Sequence, residues 1–252
     1  MTNGPDLYFH VSCSDETEAW QNHRRWVEET WCSNARAGDS VVYTYGNELI
    51  HYPEHPYPLR VTSAKALRDY RYDTETARFK GELRLPVHSS YKGQTFKFLL
   101  GLDEFRTCTD LPFFVGTHTG SYIRIPLLRA VLANIDPDKP FTAGVLTWHP
   151  ESGEYESGAL HVISRFSAIK ILNRADDIAR AQIARPHWCD DMLLGWFIRE
   201  MGMHHAPLWR LNVAPAEPLP HHPECFHYLF LRGAKEEANY RHYHAMFPED
   251  RP

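Results

Sequence analysis

The sequence predicts an α/β fold with a central, mainly parallel sheet covered by helices. Short apolar runs of strand-forming residues alternate along the chain with segments whose apolar residues recur at helical spacing. The runs are apolar almost without interruption, which is typical of strands buried on both faces of a parallel sheet. Of the 252 residues, 43% are apolar and 23% are charged, the balance of a globular protein with a sizeable core. We therefore expect residues 1–252 to form a single domain.

The first elements are predicted to be a strand, a helix and a second strand. Leu7–Val11 is a short apolar run that ends in the turn-forming segment Ser12–Ser14. Ser14 can cap the helix that follows, in which apolar residues recur at helical spacing as far as Trp31. Ser40–Tyr45 is rich in β-branched and aromatic residues and runs into a Gly-Asn turn signal, so we expect a strand there.

The rest of the chain continues this alternation. The predicted strands are Glu82–Val87, Leu111–Val115 and Phe141–Trp148, and the predicted helices are Tyr91–Phe105, Pro126–Ile135, Ser164–Leu172, Asp190–Met201 and Ala234–Phe247. The Pro-rich stretch His51–Leu59 is predicted to be a loop because each proline lacks an amide donor, and Pro150–Gly158 is predicted to be a turn. In such a sheet, ligands bind at the carboxyl ends of the strands.

Charge and cysteine content narrow the classes of partner and compartment. The net charge of -5 gives no general attraction to nucleic-acid phosphates, so nucleic acid is not the default partner, although a local basic patch could bind it. The five cysteines are scattered and form no C-x-x-C pair, which suits a reducing compartment. No apolar stretch approaches the roughly 18 residues that cross a bilayer. We expect a cytoplasmic protein with no membrane span.

Several widespread catalytic patterns are missing from the sequence. It contains no G-x-x-x-x-G-K, H-E-x-x-H, G-x-S-x-G or G-x-G-x-x-G segment. Phosphate-loop enzymes, zinc proteases, serine hydrolases and dinucleotide oxidoreductases therefore have no positive support.

A pair of adjacent carboxylates begins an otherwise apolar predicted helix. Asp190 and Asp191 could cap the helix, where a carboxylate accepts free amide hydrogens, but capping needs only one of them. A carboxylate held rigidly at a helix start could equally act as a base toward an acceptor hydroxyl. On the residues alone, both roles stay open.

Six segments carry patterns that occur together, in this order, in one class of enzyme. They are His23–Trp31 (R…TW), Val87–Leu100 (similar to DSY.NLT.K), Phe113–Ile123 (at the place of..K.DDD.F), Glu156–Arg165 (similar to..SGAGY.LSR), Cys189–Gly195 (similar to EDV..G) and Phe226–Tyr228, a closing strand. Together they resemble the β-1,3-galactosyltransferase and Fringe-like glycosyltransferases with their bacterial and viral relatives. The resemblance covers most of the chain.

The resemblance implies a single glycosyltransferase-A domain that moves a sugar from a nucleotide-sugar donor to a hydroxyl group. The expected donor is a UDP-sugar, and the expected acceptor is a glycan. The resemblance also implies an inverting reaction with a carboxylate base. Asp191 is the better candidate for this base because it directly precedes the Met that stands at the family's Val, and Asp190 is the second candidate. A turn and a helix are implied for Glu156–Arg165.

The family's metal-binding aspartates are replaced in this chain. His118, Thr119 and Gly120 stand in their place, and the Thr and Gly side chains offer no anionic oxygen to a hard cation such as magnesium or manganese. We therefore expect the donor diphosphate to be neutralised by basic residues and amide groups, without a metal. The alternatives are a metal recruited by His227 or by the loop Asp73–Glu75, and a decayed donor site.

The resemblance also marks residues for the donor and for the sugar or acceptor. The donor-binding candidates are Ser12, Cys13, Ser14, Lys97, His118, Thr119 and Gly120, and the sugar- or acceptor-binding candidates are Trp148, His149, Glu156, Ser157 and Gly158. Several of them have an ordinary structural alternative: a helix cap for Ser12–Ser14, a solvated helix face for Lys97, the core for Trp148 and a tight turn for Gly158.

Two other functions fit the same predicted fold. One is a non-catalytic protein that binds nucleotide sugars or carbohydrates, which the missing aspartates favour. The other is a phage-type glycosyltransferase that acts on modified DNA.

Overall fold

The computed structural model describes residues 4–14, 17–46, 81–85, 93–215, 219–231 and 234–251. Two predicted loops lie outside the described residues: the Pro-rich loop at 51–59 and the possible metal-binding loop at 73–75. So does most of 87–93, the start of the segment that is similar to DSY.NLT.K.

The described residues form ten strands and seven α-helices. The strands are β1 (Leu7–Ser12), β2 (Ser40–Tyr45), β3 (Glu82–Arg84), β4 (Phe113–His118), β5 (Ser121–Ile123), β6 (Thr142–His149), β7 (Gly153–Ser164), β8 (His205–Pro207), β9 (Leu211–Val213) and β10 (His227–Phe230). The helices are α1 (Glu18–Glu29), α2 (Gln94–Cys108), α3 (Ile125–Leu132), α4 (Arg165–Leu172), α5 (Ala175–Ala184), α6 (Asp190–Glu200) and α7 (Glu237–Met246). None of these helices is long and apolar enough to cross a bilayer.

The central sheet has seven strands in the order β3-β2-β1-β4-β7-β6-β8. Four neighbouring strands, β3, β2, β1 and β4, run parallel, and so do β6 and β8. Only β7 runs antiparallel to its neighbours β4 and β6. The predicted α/β class with a mainly parallel sheet is confirmed, and so is the prediction that β1, β2 and β4 are neighbours. A smaller sheet, β5-β10-β9, packs beside it.

Each face of the central sheet carries its own hydrophobic core. Along β1, Tyr8 packs into the core formed with α2, α4, α5 and α6, whereas Leu7, Phe9 and Val11 pack into the core formed with α1, α3, α7 and the smaller sheet. All four side chains are fully buried. This explains why the strand sequence is continuously apolar instead of alternating with polar residues.

Two local predictions are wrong. The predicted turn Pro150–Gly158 ends at Ser152, because residues from Gly153 onward pair with β6 as the first half of β7. For the same reason Glu156–Arg165 is a strand that ends at Ser164, rather than a turn and a helix.

The structure also differs from the sequence-based predictions at two helices. The start of α1 is capped by Thr17 instead of Ser14: Trp20 N donates to Thr17 Oγ1 at 3.4 Å. Helix α5, which was not predicted from the sequence, lies between α4 and α6. The single-domain organisation of residues 1–252 stays a prediction.

Candidate active site

A cavity of about 450 Å³ lies at the carboxyl ends of β1 and β4. Strand β1 has β2 on one side and β4 on the other, so the chain order along the sheet reverses at this point. Open α/β sheets bind ligands at such a switch point, because the loops that leave the two strands separate and leave a crevice. The cavity therefore lies where the fold itself predicts a ligand.

The structure brings nine of the fifteen predicted site residues together in the cavity wall. These are Ser12, Cys13, Ser14, His118, Thr119, Ser157, Gly158, Asp190 and Asp191. The other six, Lys97, Gly120, Trp148, His149, Glu156 and His227, do not line the cavity.

Asp191 is fixed in the wall by backbone amides from two elements. Its Oδ2 accepts a hydrogen bond from Gly158 N of β7 at 3.0 Å, and its Oδ1 accepts one from Met192 N at 3.0 Å. Helix α6 packs closely on β7, since a Cβ at Gly195 would overlap the Cβ of Tyr155. The sequence places two carboxylates at the start of this helix, and the close packing holds them against the strand.

Asp190 lies beside Asp191 and titrates at an unusual pH. Burial, and then the neighbouring charge of Asp191, raise the pKa of Asp190 to about 6, while His161 opposes the shift. A carboxyl group that changes protonation near neutral pH in a cavity wall is suited to proton transfer.

A buried network of Glu156 and two histidines supports this wall, and the sequence did not single out the histidines. Glu156 Oε2 lies 3.1 Å from His161 Nδ1, and its Oε1 lies 2.6 Å from His205 Nδ1. Burial disfavours a charge on His161, but the contact with Glu156 and the charges of Glu156, Asp190 and Asp191 raise its pKa overall. Because His161 lines the cavity, a histidine that favours its protonated form faces the ligand site.

An irregularity in β7 creates this arrangement. Gly144 pairs with His161 and Leu146 with Glu156, so two steps along β6 lie opposite five steps along β7. The extra residues of β7 turn its backbone into the cavity wall, where Ser157 and Gly158 lie. Bulges of this kind re-aim side chains and are frequent beside active sites.

The predicted donor-binding turn after β4 is held by internal hydrogen bonds. Gly120 N donates to His118 Nδ1 at 2.8 Å, and Thr119 N donates to Ser12 O at 3.4 Å. A Cβ at Gly120 would lie 2.7 Å from His118 Cε1 and 2.9 Å from Lys235 Cε, so glycine allows the two side chains to approach. Burial, followed by the charges of Lys235 and Arg210, lowers the pKa of His118 to about 3, so its ring is neutral.

Four of the predicted residues outside the wall have different surroundings. Lys97 is fully buried in α2, and its charge adds to the burial that lowers the pKa of His10 to about 3. His149 ends β6 and the side chain of Trp148 beside it is 66% exposed, so Trp148 belongs neither to the core nor to the cavity wall. His227 is buried, with Nε2 3.1 Å from Ser121 Oγ.

The side chains after β4 do not fit a divalent cation. Within the described part of the chain, no group of three or more His, Cys, Asp or Glu residues could hold a metal ion. His118 Nδ1 already accepts a hydrogen bond, and neither Thr119 nor Gly120 carries an anionic oxygen.

Comparisons with known proteins show distant structural similarity and no match in sequence. No protein-family model and no curated protein sequence matches the chain. Among solved structures, the chain is similar to the glycosyltransferase GlyE of Streptococcus pneumoniae TIGR4, with a TM-score of 0.41 and 8% sequence identity over 81% of this chain and 46% of that chain. The chain therefore spans about half the length of GlyE. At this distance the similarity carries no argument about activity, and the resemblance to the Fringe-like family stays a prediction.

Proposed function

We propose that the protein is a glycosyltransferase that moves a sugar from a nucleotide-sugar donor to a hydroxyl group. The observation that carries the proposal is the carboxylate pair Asp190 and Asp191 in the wall of a cavity of about 450 Å³ at the switch point of an α/β sheet. The cavity has the size of a small-molecule site, and its polar groups converge from six separate segments of the chain.

The cavity wall offers one set of groups for the nucleoside and another for the reaction. Trp20 lines the cavity, and we assign its ring to contact with the base. Ser12 Oγ donates to Gln94 Oε1 at 2.8 Å, and these two polar side chains are suited to a base or ribose. Gly158 and Asp191 lie together on the β7 side of the cavity, where we place the transferred sugar and the acceptor.

In the proposed reaction, Asp191 accepts the proton of the acceptor hydroxyl. The acceptor oxygen then forms a bond to the anomeric carbon of the sugar, the bond from that carbon to the diphosphate oxygen breaks, and the diphosphate leaves with the bonding electrons. Attack from the face opposite the diphosphate inverts the anomeric configuration. Asp190 is the second candidate for the base, because a base is most effective when its pKa is near the working pH.

Paired substitutions test the assignment of the base. We expect Asp191→Asn to lower kcat about 100-fold or more while the donor Kd stays within about threefold, because the amide keeps the size of the side chain but cannot accept the proton. Asp138→Asn, at an exposed position, is the matched control and should leave both constants unchanged. Transfer is followed with a panel of UDP-, GDP- and TDP-sugars, and donor binding by isothermal titration.

Two outcomes would change the proposal. If Asp190→Asn loses turnover and Asp191→Asn keeps it, the roles of the two carboxylates are reversed. If the protein binds a donor but transfers sugar to no acceptor and does not hydrolyse the donor, it is the non-catalytic binding protein. The replacement of the metal-binding aspartates by His118, Thr119 and Gly120 favours that second candidate.

A further inference from the structure

We propose that two cations of the protein itself, Lys235 and Arg210, bind the diphosphate of the donor beside His118. The inference deepens the proposed function and rests on it for the identity of the ligand, a nucleoside diphosphate. Neither residue was identified from the sequence, and neither forms an ion pair with a carboxylate in the described part of the chain.

Among the residues that the structure describes, neither cation has an acidic partner. Other arginines with little exposure pair with carboxylates: Arg124 with Asp250, and Arg129 with Asp39. Among the described residues, no carboxylate lies within ion-pair distance of Lys235 or Arg210, although both are half-buried. Burial lowers the pKa of each of them. An unpaired cation removed from water is unfavourable, so one such cation in the cavity wall and a second bonded to the wall residue Ser157 are suited to an anionic ligand.

The positions of Lys235 and Arg210 also favour one shared ligand. Lys235 lines the cavity, and its Nζ lies 5.2 Å from the centre of the Trp20 ring. Two hydrogen bonds orient Arg210: its Nη1 donates to Ser157 Oγ of β7 at 2.7 Å, and its Nε donates to Asn212 Oδ1 at 3.0 Å. Its Nη2 contacts no acceptor among the described residues. The charges of both residues act on His118. The two cations therefore approach the end of β4 from different elements.

The backbone of the turn after β4 already has hydrogen-bond partners within the protein. The amides of Thr119 and Gly120 donate to Ser12 O and to His118 Nδ1, and Thr119 O accepts a hydrogen bond from Tyr240. Side chains therefore have to supply the donors and the positive charge that a phosphate needs. Lys and Arg together provide two positive charges, as many as one divalent cation, with N–H groups that suit phosphate oxygens.

Binding of inorganic pyrophosphate and of UDP to EDTA-treated protein tests the inference without any need for turnover. We expect the wild-type protein to bind both ligands in EDTA, and Lys235→Gln and Arg210→Gln each to raise the Kd about tenfold or more, since each removes a charge-assisted contact. Lys139→Gln and Arg180→Gln, at side chains that are 74% and 61% exposed, are the matched controls and should leave the Kd unchanged. Lys235→Arg should retain more binding than Lys235→Gln, which separates loss of charge from misfolding.

The outcomes distinguish the diphosphate site from the proposed transferase function. Wild-type Kd values in both neutral variants, or binding that disappears in EDTA and returns with manganese, would overturn the diphosphate site. If the neutral variants bind pyrophosphate weakly and no sugar is transferred from any donor, the diphosphate site stands and the transferase proposal fails. If transfer occurs and is equally efficient in the neutral variants, the transferase proposal stands and the diphosphate site is wrong.

Discussion

Glu156 is a buried carboxylate between two histidines, and its surroundings predict a dependence of stability on pH. Burial alone would raise its pKa, but the contacts with His161 and His205 lower it below the ordinary 4.5. The contribution of Glu156 to the free energy of unfolding is therefore complete above pH 4.5 and is lost as the pH falls further. The pKa of His161 lies above the ordinary 6.5, so its contribution to the free energy of unfolding is complete below pH 6.5 and is lost as the pH rises. The network should stabilise most between these two values.

We therefore predict that Glu156→Gln lowers the free energy of unfolding by about 3 kcal/mol at pH 5 to 6, because it breaks a buried charged pair, and by less above pH 8. Urea unfolding over this pH range measures the difference. Glu151→Gln is the control, since this carboxylate contacts His187 at 3.2 Å on the surface and should show no such window. A destabilisation that does not vary with pH would mean that the network is held by shape and not by charge.

At the scale of single elements, the junction of β7 and α4 depends on one hydroxyl group. Ser164 is fully buried at the start of α4, where its Oγ accepts a hydrogen bond from Ser167 N at 3.2 Å and donates one to Lys139 O at 2.8 Å. We predict that Ser164→Ala lowers the free energy of unfolding by about 1 to 2 kcal/mol, because the buried Ser167 N and the carbonyl of Lys139 both lose their partner. Thr17→Ala, which removes the exposed cap of α1, should cost less. The urea midpoints of the two variants decide, and equal losses would argue against a special role for the buried hydroxyl.

The elements also show which local structures the sequence could predict. Strands β1 and β4 are short apolar runs, so both could be predicted from the sequence. Ser12 was assigned to the ligand crevice because it follows β1, whereas His118 was assigned to the donor site through the family resemblance. The segment 153–158 could not, because its Gly and Glu residues have turn propensity and only pairing with β6 makes it a strand. The bulge that brings Glu156 toward His161 follows from the same pairing, and no local signal in the sequence indicates it.

At the scale of the whole molecule, one buried ion pair joins distant parts of the chain. Arg124, at the start of α3, donates through Nε to Asp250 Oδ2 at 2.8 Å and through Nη1 to Pro223 O at 2.7 Å, and its guanidinium lies 3.8 Å from the centre of the Phe247 ring.

We predict that Arg124→Met lowers the free energy of unfolding by about 3 kcal/mol, since it leaves a buried carboxylate unpaired. Arg241→Met removes an exposed ion pair with Glu29 and should change the urea midpoint within the error of the measurement. Equal effects would show that the buried pair does not contribute more than a surface pair.

The candidate site was predicted from the sequence only where its residues follow local patterns. Asp190 and Asp191 were identified because acidic residues at a helix start stand out beside an apolar segment. Lys235, Arg210 and His161 were not, because each is an ordinary residue in its own segment and gains significance only when the chain returns to the ends of β1 and β4. The fold class depended on repeated local signals, and the charges of the cavity depended on long-range packing.

The hydrogen bond from Tyr240 Oη to Thr119 O, 2.5 Å long, joins residues 121 positions apart. A ribosome adds about 5 to 20 residues per second, so it reaches Tyr240 about 6 to 24 s after it has added Thr119. Until residue 235 is added near the end of that interval, the nascent chain contains β1 and β4, and after residue 191 both carboxylates, but not Lys235. Translation itself therefore determines when the proposed diphosphate site can form, and an incomplete chain that stops before residue 235 would carry the acidic side of the cavity without the lysine that faces it.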